Sequence, residues 1–255
     1  MERDHAATLQ QLIAAIQRRW GAHALRVFGQ RSAEAIPVIS TGFPDLDVAL
    51  GIGGFPRGRI TELLGMATSG KTTIALRALA QAQAQGDRVG YLDLPSTLDP
   101  EYAAWCGVDL ASLLLIRPQT PIDALDLLSA LVASGGLGML VVDDLACFQE
   151  TTQGSVLLER ALRVLARPLT RSQCALIVLT TLPHRPGVIE TIGFRGAALA
   201  YAAAIQLHVA REAWLDNRHA PPGCHARVNV LTHKLAAPGK AARVTISFED
   251  HWSVL

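Results

Sequence analysis

The chain has 255 residues, of which 50% are hydrophobic and 18% are charged, so it can bury a sizeable core in one large α/β domain or two small ones. No apolar run is long enough to span a membrane, and the first residues lack the apolar core of a signal peptide, which predicts a cytoplasmic protein. The four cysteines lie far apart without a C-x-x-C pair, which argues against a disulfide framework and against a zinc site.

The first predicted element is an amphipathic helix that ends at Gly21, a suitable C-cap. A polar segment at residues 30–34 separates it from the rest of the chain. The apolar stripe would be buried either on the chain's own core or on a neighbouring protomer, and its spacing does not choose between the two. The stripe consists of Leu9, Leu12, Ile13, Ile16 and Trp20.

A glycine-rich stretch lies between a short apolar run at residues 60–64 and helix-forming sequence at residues 72–85. It has the form G-x-x-x-x-G-K-[ST], typical of a P-loop whose backbone N–H groups turn toward a phosphate. Lys71 supplies a charge for the outer phosphates, and the Thr72 hydroxyl suits a Mg²⁺ ligand. The strand and helix around it argue against a chance turn. The predicted nucleotide-binding residues are Gly65, Met66, Ala67, Thr68, Ser69, Gly70, Lys71 and Thr72.

Beyond Gly86 the predicted strands and helices alternate, which indicates an α/β fold with a parallel sheet and right-handed crossovers. Three later strand-like runs, joined by polar turns, suit antiparallel hairpins. The predicted strands cover residues 88–93, 113–117, 139–143, 175–181, 205–210, 227–234 and 243–248. The predicted helices cover residues 100–106, 121–134 and 156–172, and a Pro/Gly-rich loop covers residues 183–196.

The strand predicted at residues 139–143 ends in an aspartate. Four apolar residues followed by Asp143 have the form of a Walker B strand, whose carboxylate orients Mg²⁺ through water. Buried strands that end in Asp are common, so the pattern gains its weight from the P-loop upstream. Together the two motifs predict binding of ATP with Mg²⁺, with Thr72 and Asp143 as the metal residues.

The approach to the P-loop carries a family resemblance. Residues 38–60 resemble the corresponding segment of bacterial RecA, and the match continues through Ser69-Gly70-Lys71-Thr72-Thr73. The resemblance extends from about Leu9 to Phe248. It implies a RecA-like P-loop NTPase core, a mostly parallel twisted sheet flanked by helices, with an N-terminal helix and C-terminal β-hairpin strands. It also adds Thr73 to the nucleotide-binding residues.

The same resemblance divides the chain. Residues 1–35, with the helix and a strand at residues 26–29, resemble the segment through which RecA protomers join. We therefore expect an oligomerisation segment there and a homo-oligomer. Residues 36–255 are expected to form the ATP-binding core, without the separate C-terminal domain of RecA.

Two further residues resemble the adenine contacts of RecA. Tyr102 is expected to stack on the base, and Asp99 is expected to accept a hydrogen bond from it. An ordinary tyrosine beside a helix N-terminus would explain the same residues and remains compatible with the same binding role.

Three positions depart from the RecA pattern. Pro95 stands where RecA has the glutamate that activates the attacking water, and Thr181 stands where it has the glutamine that senses the γ-phosphate. Of the two lysines that RecA projects across the protomer interface onto ATP, the first matches Thr232, and only the second, Lys234, is kept. A lost base alone removes about 10² to 10⁴ in rate. We therefore expect very slow or absent hydrolysis unless another group replaces the glutamate.

Asp144 is the candidate replacement, because it directly follows the Walker B aspartate, where many P-loop ATPases carry an acidic base, usually the longer glutamate. The alternative is a solvent-facing or capping role for this side chain. The predicted catalytic residues are thus Asp144 and, acting in trans on a neighbour's ATP, Lys234.

The loop at residues 183–196 matches the RecA loop that grips single-stranded DNA, but it is shorter and has Phe194 and Arg195 where RecA has paired glycines. Arg185 and Arg195 are candidates for phosphate contacts and Phe194 for stacking on a base, or the loop binds nothing.

Residues 151–255 hold 12 Lys and Arg against 6 Asp and Glu, so a polyanion would dock on this half. Four arginines at helical spacing form a basic stripe: Arg160, Arg163, Arg167 and Arg171. This stripe would face DNA, an acidic partner or only water.

Three functions remain open at this point. A chain that keeps the nucleotide-binding residues of RecA but departs from it at the hydrolytic and DNA-binding positions resembles the ImuA-type accessory proteins of damage-induced (SOS) mutagenesis. Typical members of that family have also lost the P-loop. The first hypothesis is therefore a regulatory protein that ATP orders and that recruits or positions a translesion polymerase or RecA itself. The rival is a minimal recombinase that forms filaments on single-stranded DNA. The third is a P-loop ATPase unrelated to DNA.

Overall fold

The structure is a computed structural model, which describes residues 2–21, 36–145, 148, 151–182, 197–215, 223–237 and 239–247. The chain separates into two compact units, Met1–Ala35 and Ile36–Leu255. The roles expected for these segments, oligomerisation and ATP binding, stay predictions.

The first unit contains helix α1 over Glu2–Trp20, where the spacing of apolar residues predicts a helix. Its alanine, leucine, glutamine and arginine residues favour helix, and Arg18 and Arg19 in the last turn complement the negative end of the helix dipole. Leu9, Leu12 and Trp20 are exposed. The strand predicted at residues 26–29 lies outside the described residues.

The second unit is built around a sheet that has eight strands within the described residues. They are β3 (Ile60–Gly65), β4 (Val89–Asp93), β5 (Leu113–Ile116), β6 (Met139–Asp143), β7 (Ala175–Thr181), β8 (Ile205–Leu215), β9 (Gly223–His233) and β10 (Ala241–Ser247). Their order across the sheet is β10-β9-β8-β3-β7-β6-β4-β5. The short strands β1 (Val38–Ile39) and β2 (Phe55–Pro56) pair with each other antiparallel.

The strands from β8 to β5 in this order pair parallel, whereas β9 and β10 pair antiparallel. The central strands are almost entirely buried on both faces, as parallel strands covered by helices are. The C-terminal hairpin strands are thus confirmed, and so is the mostly parallel sheet that alternating elements predict.

Helices flank both faces of this sheet. One core cluster joins the sheet to α2 (Pro44–Leu50), α3 (Lys71–Ala84) and α4 (Pro100–Trp105). The other joins it to α5 (Pro121–Ser134), α6 (Thr152–Ser172) and α7 (Ala197–Ala202). A 3₁₀ turn, Leu110–Ser112, precedes β5. The predicted α/β RecA-like architecture is therefore confirmed. In the parts of the chain that the structure describes, no helix is both long and apolar enough to cross a bilayer.

Some boundaries differ from the predicted ones for local reasons. Helix α6 begins at Thr152, four residues before the predicted start, because the Thr151 hydroxyl caps it by accepting from the backbone N–H of Gly154. Strand β8 continues to Leu215, five residues past the predicted end, because it pairs with β9 along that length. The sequence does not predict α2 or α7, which have only seven and six residues and show no helical period.

The parallel strands bring the predicted motifs to one edge of the sheet. Strand β3 ends at Gly65, β4 at Asp93, β6 at Asp143 and β7 at Thr181, and these four strands are neighbours in the sheet. Open α/β sheets bind ligands outside the carboxyl ends of their strands. The candidate site lies at this edge.

Candidate nucleotide-binding site

The P-loop begins where β3 ends and closes where α3 begins. Gly65 is the last residue of β3, and a Cβ added there would lie 2.3 Å from the carbonyl oxygen of Val209. Gly70 caps α3 with a φ of 102°, and a Cβ there would lie 2.8 Å from Ile246. Close packing therefore requires glycine at the first position, and packing with a left-handed backbone requires it at the second.

Lys71 is the first residue of α3, and its side chain folds back over the loop. Its Nζ donates to the carbonyl oxygens of Gly65 at 2.8 Å and of Met66 at 2.9 Å. Burial lowers the pKa of Lys71, while the nearby carboxylates of Asp144 and Asp143 raise this pKa. A buried ammonium held by neutral carbonyls can exchange them for phosphate oxygens, which are stronger acceptors.

A cavity of about 380 Å³ lies beside this loop. Within the described residues, the Ser69 hydroxyl is buried in the loop without a hydrogen-bond partner, so a ligand oxygen can satisfy it. The glycine cradle, the buried lysine and this hydroxyl fit nucleotide phosphates, and aromatic side chains fit a base. The lining residues are Thr68, Ser69, Gly70, Lys71, Thr72, Thr73, Tyr102, Trp214, Cys224 and Ile246.

Thr72 and Asp143 are the residues predicted to hold Mg²⁺. Thr72 lines the cavity, and Asp143 ends β6 at the same edge of the sheet. The Asp143 Oδ2 accepts a hydrogen bond from the Tyr91 hydroxyl at 2.7 Å. Burial raises the pKa of Asp143, and the bond from Tyr91 lowers this pKa. No cluster of three or more His, Cys, Asp or Glu in the described residues could hold a metal. Two protein groups nevertheless suit Mg²⁺, which keeps several waters and takes phosphate oxygens as ligands.

Asp144 directly follows Asp143. Its Oδ2 accepts a hydrogen bond from the backbone N–H of Thr181 at 3.0 Å, so it connects the ends of β6 and β7. This contact has the form of the capping role that the sequence leaves as the alternative to catalysis. Thr181 therefore contacts Asp144 through its backbone N–H, whereas RecA has a glutamine with a longer side chain at this position. The catalytic role of Asp144 stays a prediction.

Asp93 at the end of β4 is a buried acid that sequence reasoning did not assign to the site. Its Oδ1 accepts from the backbone N–H of Thr97, and its Oδ2 accepts from the backbone N–H of Leu98 and from Nε of Arg117, at 3.0 to 3.1 Å. These donors fold the loop that contains Pro95. Because its oxygens are occupied in this way, Asp93 organises the loop, and it offers no free base in place of the missing glutamate.

Of the predicted adenine residues, Tyr102 lies on α4 and Asp99 is the N-cap that precedes this helix. The Asp99 Oδ1 caps the helix by accepting from the backbone N–H groups of Glu101 at 2.9 Å and Tyr102 at 3.3 Å. The Tyr102 hydroxyl lies 2.5 Å from Oγ1 of Thr73, and its ring stacks on Trp105 with centroids 5.3 Å apart. Burial raises the pKa of Tyr102 to about 12, so this side chain stays neutral. Tyr102 and Thr73 line the cavity with the P-loop, whereas Asp99 serves the helix cap.

Sequence reasoning missed the wall that completes the cavity. Its members lie side by side on three strands: Trp214 of β8 pairs with Cys224 of β9, and Cys224 pairs with Ile246 of β10. The register of a hairpin decides which of its side chains meet, and composition does not reveal that register. The one local signal, an aromatic residue past the predicted end of β8, carries no information about a cavity.

A buried polar network crosses the sheet behind the P-loop. Glu62 of β3 accepts hydrogen bonds at 2.8 Å from the Thr180 hydroxyl and from the Gln206 amide. The amide oxygen of Gln206 accepts from the Thr232 hydroxyl at 3.0 Å. Burial raises the pKa of Glu62, although both donors lower this pKa. Thr232, which matches the first RecA lysine, thus has a partner within its own chain.

Lys234 lies at the edge of the sheet opposite the P-loop. Its backbone N–H donates to Ala204, whose own N–H donates to Ile60 at the start of β3, whereas the P-loop follows the end of β3. Its Nζ donates to the carbonyl oxygen of Tyr201 and lies 5.5 Å from the centroid of that ring. The position of Lys234 in the sheet therefore separates it from the ATP site predicted in its own chain.

The predicted DNA residues Arg185, Phe194 and Arg195 lie outside the described residues. The basic stripe lies on α6, and its four arginines are exposed: Arg160, Arg163, Arg167 and Arg171. Arg163 forms an ion pair with Glu159 one turn away. Val156 and Val164 of the same helix are also exposed, so its outer surface is basic and partly apolar.

Comparison with known proteins gives similarities over almost the whole chain. The family model of the RecA N-terminal domain matches residues 7–253. The chain is 36% identical over 262 residues to Protein RecA of Streptomyces venezuelae, which covers 96% of this chain and 69% of that protein. It is 35% identical over 268 residues to Protein RecA of Methylobacterium sp. strain 4-46, and this match covers 98% of this chain and 73% of that protein. Protein RecA of Listeria welshimeri is 35% identical over 262 residues, and this match covers 97% of this chain and 75% of that protein.

Proposed function

The chain belongs to the RecA family, whose members act in DNA repair and recombination, and from this premise we propose that it binds ATP as an accessory or regulatory factor of DNA repair with weak or absent hydrolysis. The observation that carries the proposal is the contrast at one edge of the sheet. Predicted phosphate-binding residues line the P-loop cavity, whereas Pro95 and Thr181 stand where RecA has its catalytic glutamate and its sensing glutamine, and Asp144 accepts a hydrogen bond from the Thr181 backbone. The same family membership supports a cytoplasmic location.

In this proposal the chain's own residues hold Mg·ATP and leave it largely intact. Lys71 neutralises the outer phosphates, the backbone of the P-loop donates to them, and Thr72 with Asp143 positions Mg²⁺. Bound Mg²⁺ supplies charge neutralisation between the phosphates. Tyr102 contacts the base. Asp144 accepts a hydrogen bond from the backbone N–H of Thr181, a contact that fits a capping role for this side chain.

The proposal includes self-association through α1. Its exposed Leu9, Leu12 and Trp20 present an apolar surface. Among the described strands, β5 lies at one end of the sheet order, and an edge strand with exposed apolar side chains invites another strand and an apolar cover. The exposed apolar residues on and beside that edge are Leu110, Leu114, Leu115, Ile122 and Leu127. The first segment of one subunit would cover this edge of the next, and Lys234 would then reach the neighbour's nucleotide.

RecA or a translesion polymerase is the protein partner that the accessory role implies. The alternative function, a minimal recombinase that forms filaments on single-stranded DNA, is supported by the similarity to RecA over nearly all of the chain. Exposed arginines on α6 would serve either function, since they fit DNA phosphates or an acidic protein surface.

Phosphate release from ATP, measured with and without single-stranded DNA, separates the two functions. The accessory role predicts nucleotide binding with turnover far below that of an ordinary RecA and little stimulation by DNA. Brisk turnover that DNA stimulates would support the recombinase and overturn the accessory role. Nucleotide binding with turnover that is brisk but indifferent to DNA would instead favour an ATPase unrelated to DNA.

A further inference from the structure

Strand β8 is irregular beside the nucleotide cavity. Its pairing with β9 shifts between Arg211 and Ala213, so Glu212 is the extra residue of a β-bulge. Side chains alternate between the two faces of a regular strand, which would place Arg211 and Trp214, three positions apart, on opposite faces. The bulge breaks the alternation and lets these two side chains meet.

Glu212 anchors this bulge to the rest of the hairpin. Its Oε2 accepts from Nε of Arg243 on β10 at 2.7 Å, and its Oε1 lies 3.5 Å from Nη1 of Arg227 on β9. The side chain that the bulge leaves unpaired in the ladder is therefore tied to β9 and to β10 beyond it. The irregular geometry is built into the sheet by side-chain contacts.

Arg211 links the P-loop to Trp214. Its Nη1 donates to the carbonyl oxygen of Thr68 at 3.2 Å and to the Thr68 hydroxyl at 3.0 Å. Its guanidinium carbon lies 4.3 Å from the centroid of the Trp214 ring, a cation–π contact. One side chain thus contacts the tip of the phosphate loop and the wall of the cavity.

The loop residue that Arg211 contacts has a strained backbone. Thr68 has a φ of 59°, in the left-handed region that a residue with a Cβ rarely adopts. Such conformations persist where surrounding contacts impose them. The two bonds from Arg211 are contacts of this kind.

We propose that Arg211 and Trp214 form a nucleotide-recognition unit at the P-loop cavity. Trp214 contacts the aromatic base of a bound nucleoside triphosphate, in addition to Tyr102, and Arg211 is the positioning residue that holds Trp214 and Thr68. Trp214 lines the cavity and is 57% exposed, so its ring offers apolar surface for a base to cover. The inference rests on the proposed binding of ATP.

Calorimetry and tryptophan fluorescence with Mg·ATP test the role of Trp214. Trp214→Ala should weaken ATP binding about 2- to 10-fold, the range expected for one lost aromatic contact, while Trp214→Phe keeps most of the affinity. The change in tryptophan emission on adding ATP should survive Trp105→Phe and disappear in Trp214→Phe. Unchanged affinity in Trp214→Ala, or an unchanged emission response in Trp214→Phe, would overturn the role. A wild-type protein that binds no ATP would instead refute the proposed function.

The role of Arg211 is tested by coupling it to Thr68. Arg211→Met should weaken ATP binding about tenfold, since two charge-assisted bonds to the loop are lost. In a Thr68→Gly background the same change should cost less, because glycine adopts a φ of 59° without strain. Arg88→Met, which removes an exposed arginine next to the amino end of β4, is the matched control and should leave affinity unchanged. Equal losses from Arg211→Met in both backgrounds, or no loss at all, would contradict a positioning role.

Discussion

The ammonium of Lys71 is buried beside the cavity and held by two loop carbonyls, so it carries the sharpest single-residue prediction of the site. Lys71→Ala should weaken Mg·ATP binding by about 10- to 100-fold, which corresponds to the loss of a charge-assisted bond worth about 1.5 to 3 kcal/mol. Calorimetry measures this difference, with Arg88→Ala as a control for the loss of one positive charge. Equal affinity of wild type and Lys71→Ala would contradict the assignment of the phosphate site.

Glu62 predicts a pH dependence of stability. Burial raises the pKa of Glu62 in the folded state. The favourable contribution of Glu62 to the free energy of unfolding is therefore fully present below pH 4.5, its ordinary pKa, and is lost as the pH rises through the raised pKa. The donors Thr180 and Gln206 lower this pKa and Asp144 raises it, without reversing the net direction. Glu62→Gln removes the titration, so the Tm of the variant relative to wild type should rise as pH increases above about 4.5.

Thermal unfolding from pH 4 to pH 8 checks this expectation. Asp143 also has a raised pKa, but it is present in both proteins and cancels in the comparison. A difference in Tm that stays constant across the range would mean that Glu62 does not titrate with folding in the expected direction.

Residue types with a local signature could be predicted from the sequence, and residues defined by distant partners could not. Lys71, Thr72 and Asp143 lie in motifs whose spacing names their chemistry, and the structure brings their strands to one edge of the sheet. The functions of Glu62 and Arg211 depend on side chains more than one hundred positions away, Thr180 and Thr68. No local pattern contains such pairings.

At the scale of a single element, the capping box of α5 makes a prediction about stability. The Thr120 hydroxyl accepts from the backbone N–H of Asp123, and the Asp123 carboxylate accepts from the backbone N–H of Thr120. Thr120→Ala should cost about 1 kcal/mol and lower Tm by roughly 2 to 4 °C. Scanning calorimetry measures the shift, and Thr97→Ala, an exposed threonine in a loop, should change Tm less. Equal shifts in the two variants would show that the cap contributes nothing special.

Elements with a strong period were the predictable ones. The spans of α5 and β7 agree with the predicted spans to the residue, because caps and apolar runs delimit them locally. The extension of β8 and its bulge were not predictable, because they depend on pairing with β9. The wall of the nucleotide cavity lies on these strands, so the part of the site that sequence reasoning missed is the part made by hairpin register.

At the scale of the whole molecule, we expect self-association of the protein to depend on residues 1–21. Burying a large apolar side chain contributes roughly 1.5 to 3 kcal/mol, so several from α1 should dominate association. Deletion of residues 1–21 should therefore leave a folded monomer that still binds ATP, since the core forms a separate compact unit. Analytical ultracentrifugation with ATP tests this. An unfolded truncation product, or a full-length protein that stays monomeric at high concentration with ATP, would mean that α1 belongs to its own subunit's core.

Lys234 predicts how nucleotide affects that assembly. It lies at the sheet edge away from its own P-loop, where it contacts Tyr201, so any ATP that it meets belongs to a neighbour. Lys234→Ala should reduce the difference in assembly with and without ATP, because binding to the joined state no longer gains this contact. Lys240→Ala, another exposed lysine, is the matched control. Identical nucleotide dependence in all three proteins would remove Lys234 from the trans site.

Global topology was predictable because alternating strands and helices permit few arrangements. The parallel core and its flanking helices follow from that alternation, and the antiparallel strands β9 and β10 follow from the polar turns that join successive strands without a helix between them. Association between chains has no such constraint in the sequence of one chain. The exposed apolar residues of α1 and of the β5 edge are compatible with assembly, and its form stays a prediction.

The central claim is that the P-loop cavity holds ATP and leaves it largely intact. The most direct test identifies the nucleotide that is recovered from the protein after incubation with labelled Mg·ATP and single-stranded DNA. We expect bound nucleotide to be recovered mainly as ATP, and Asp144→Asn to reduce any ADP further, because Asp144 is the one candidate base that the account retains. Rapid and complete conversion to ADP that persists in Asp144→Asn would contradict the account.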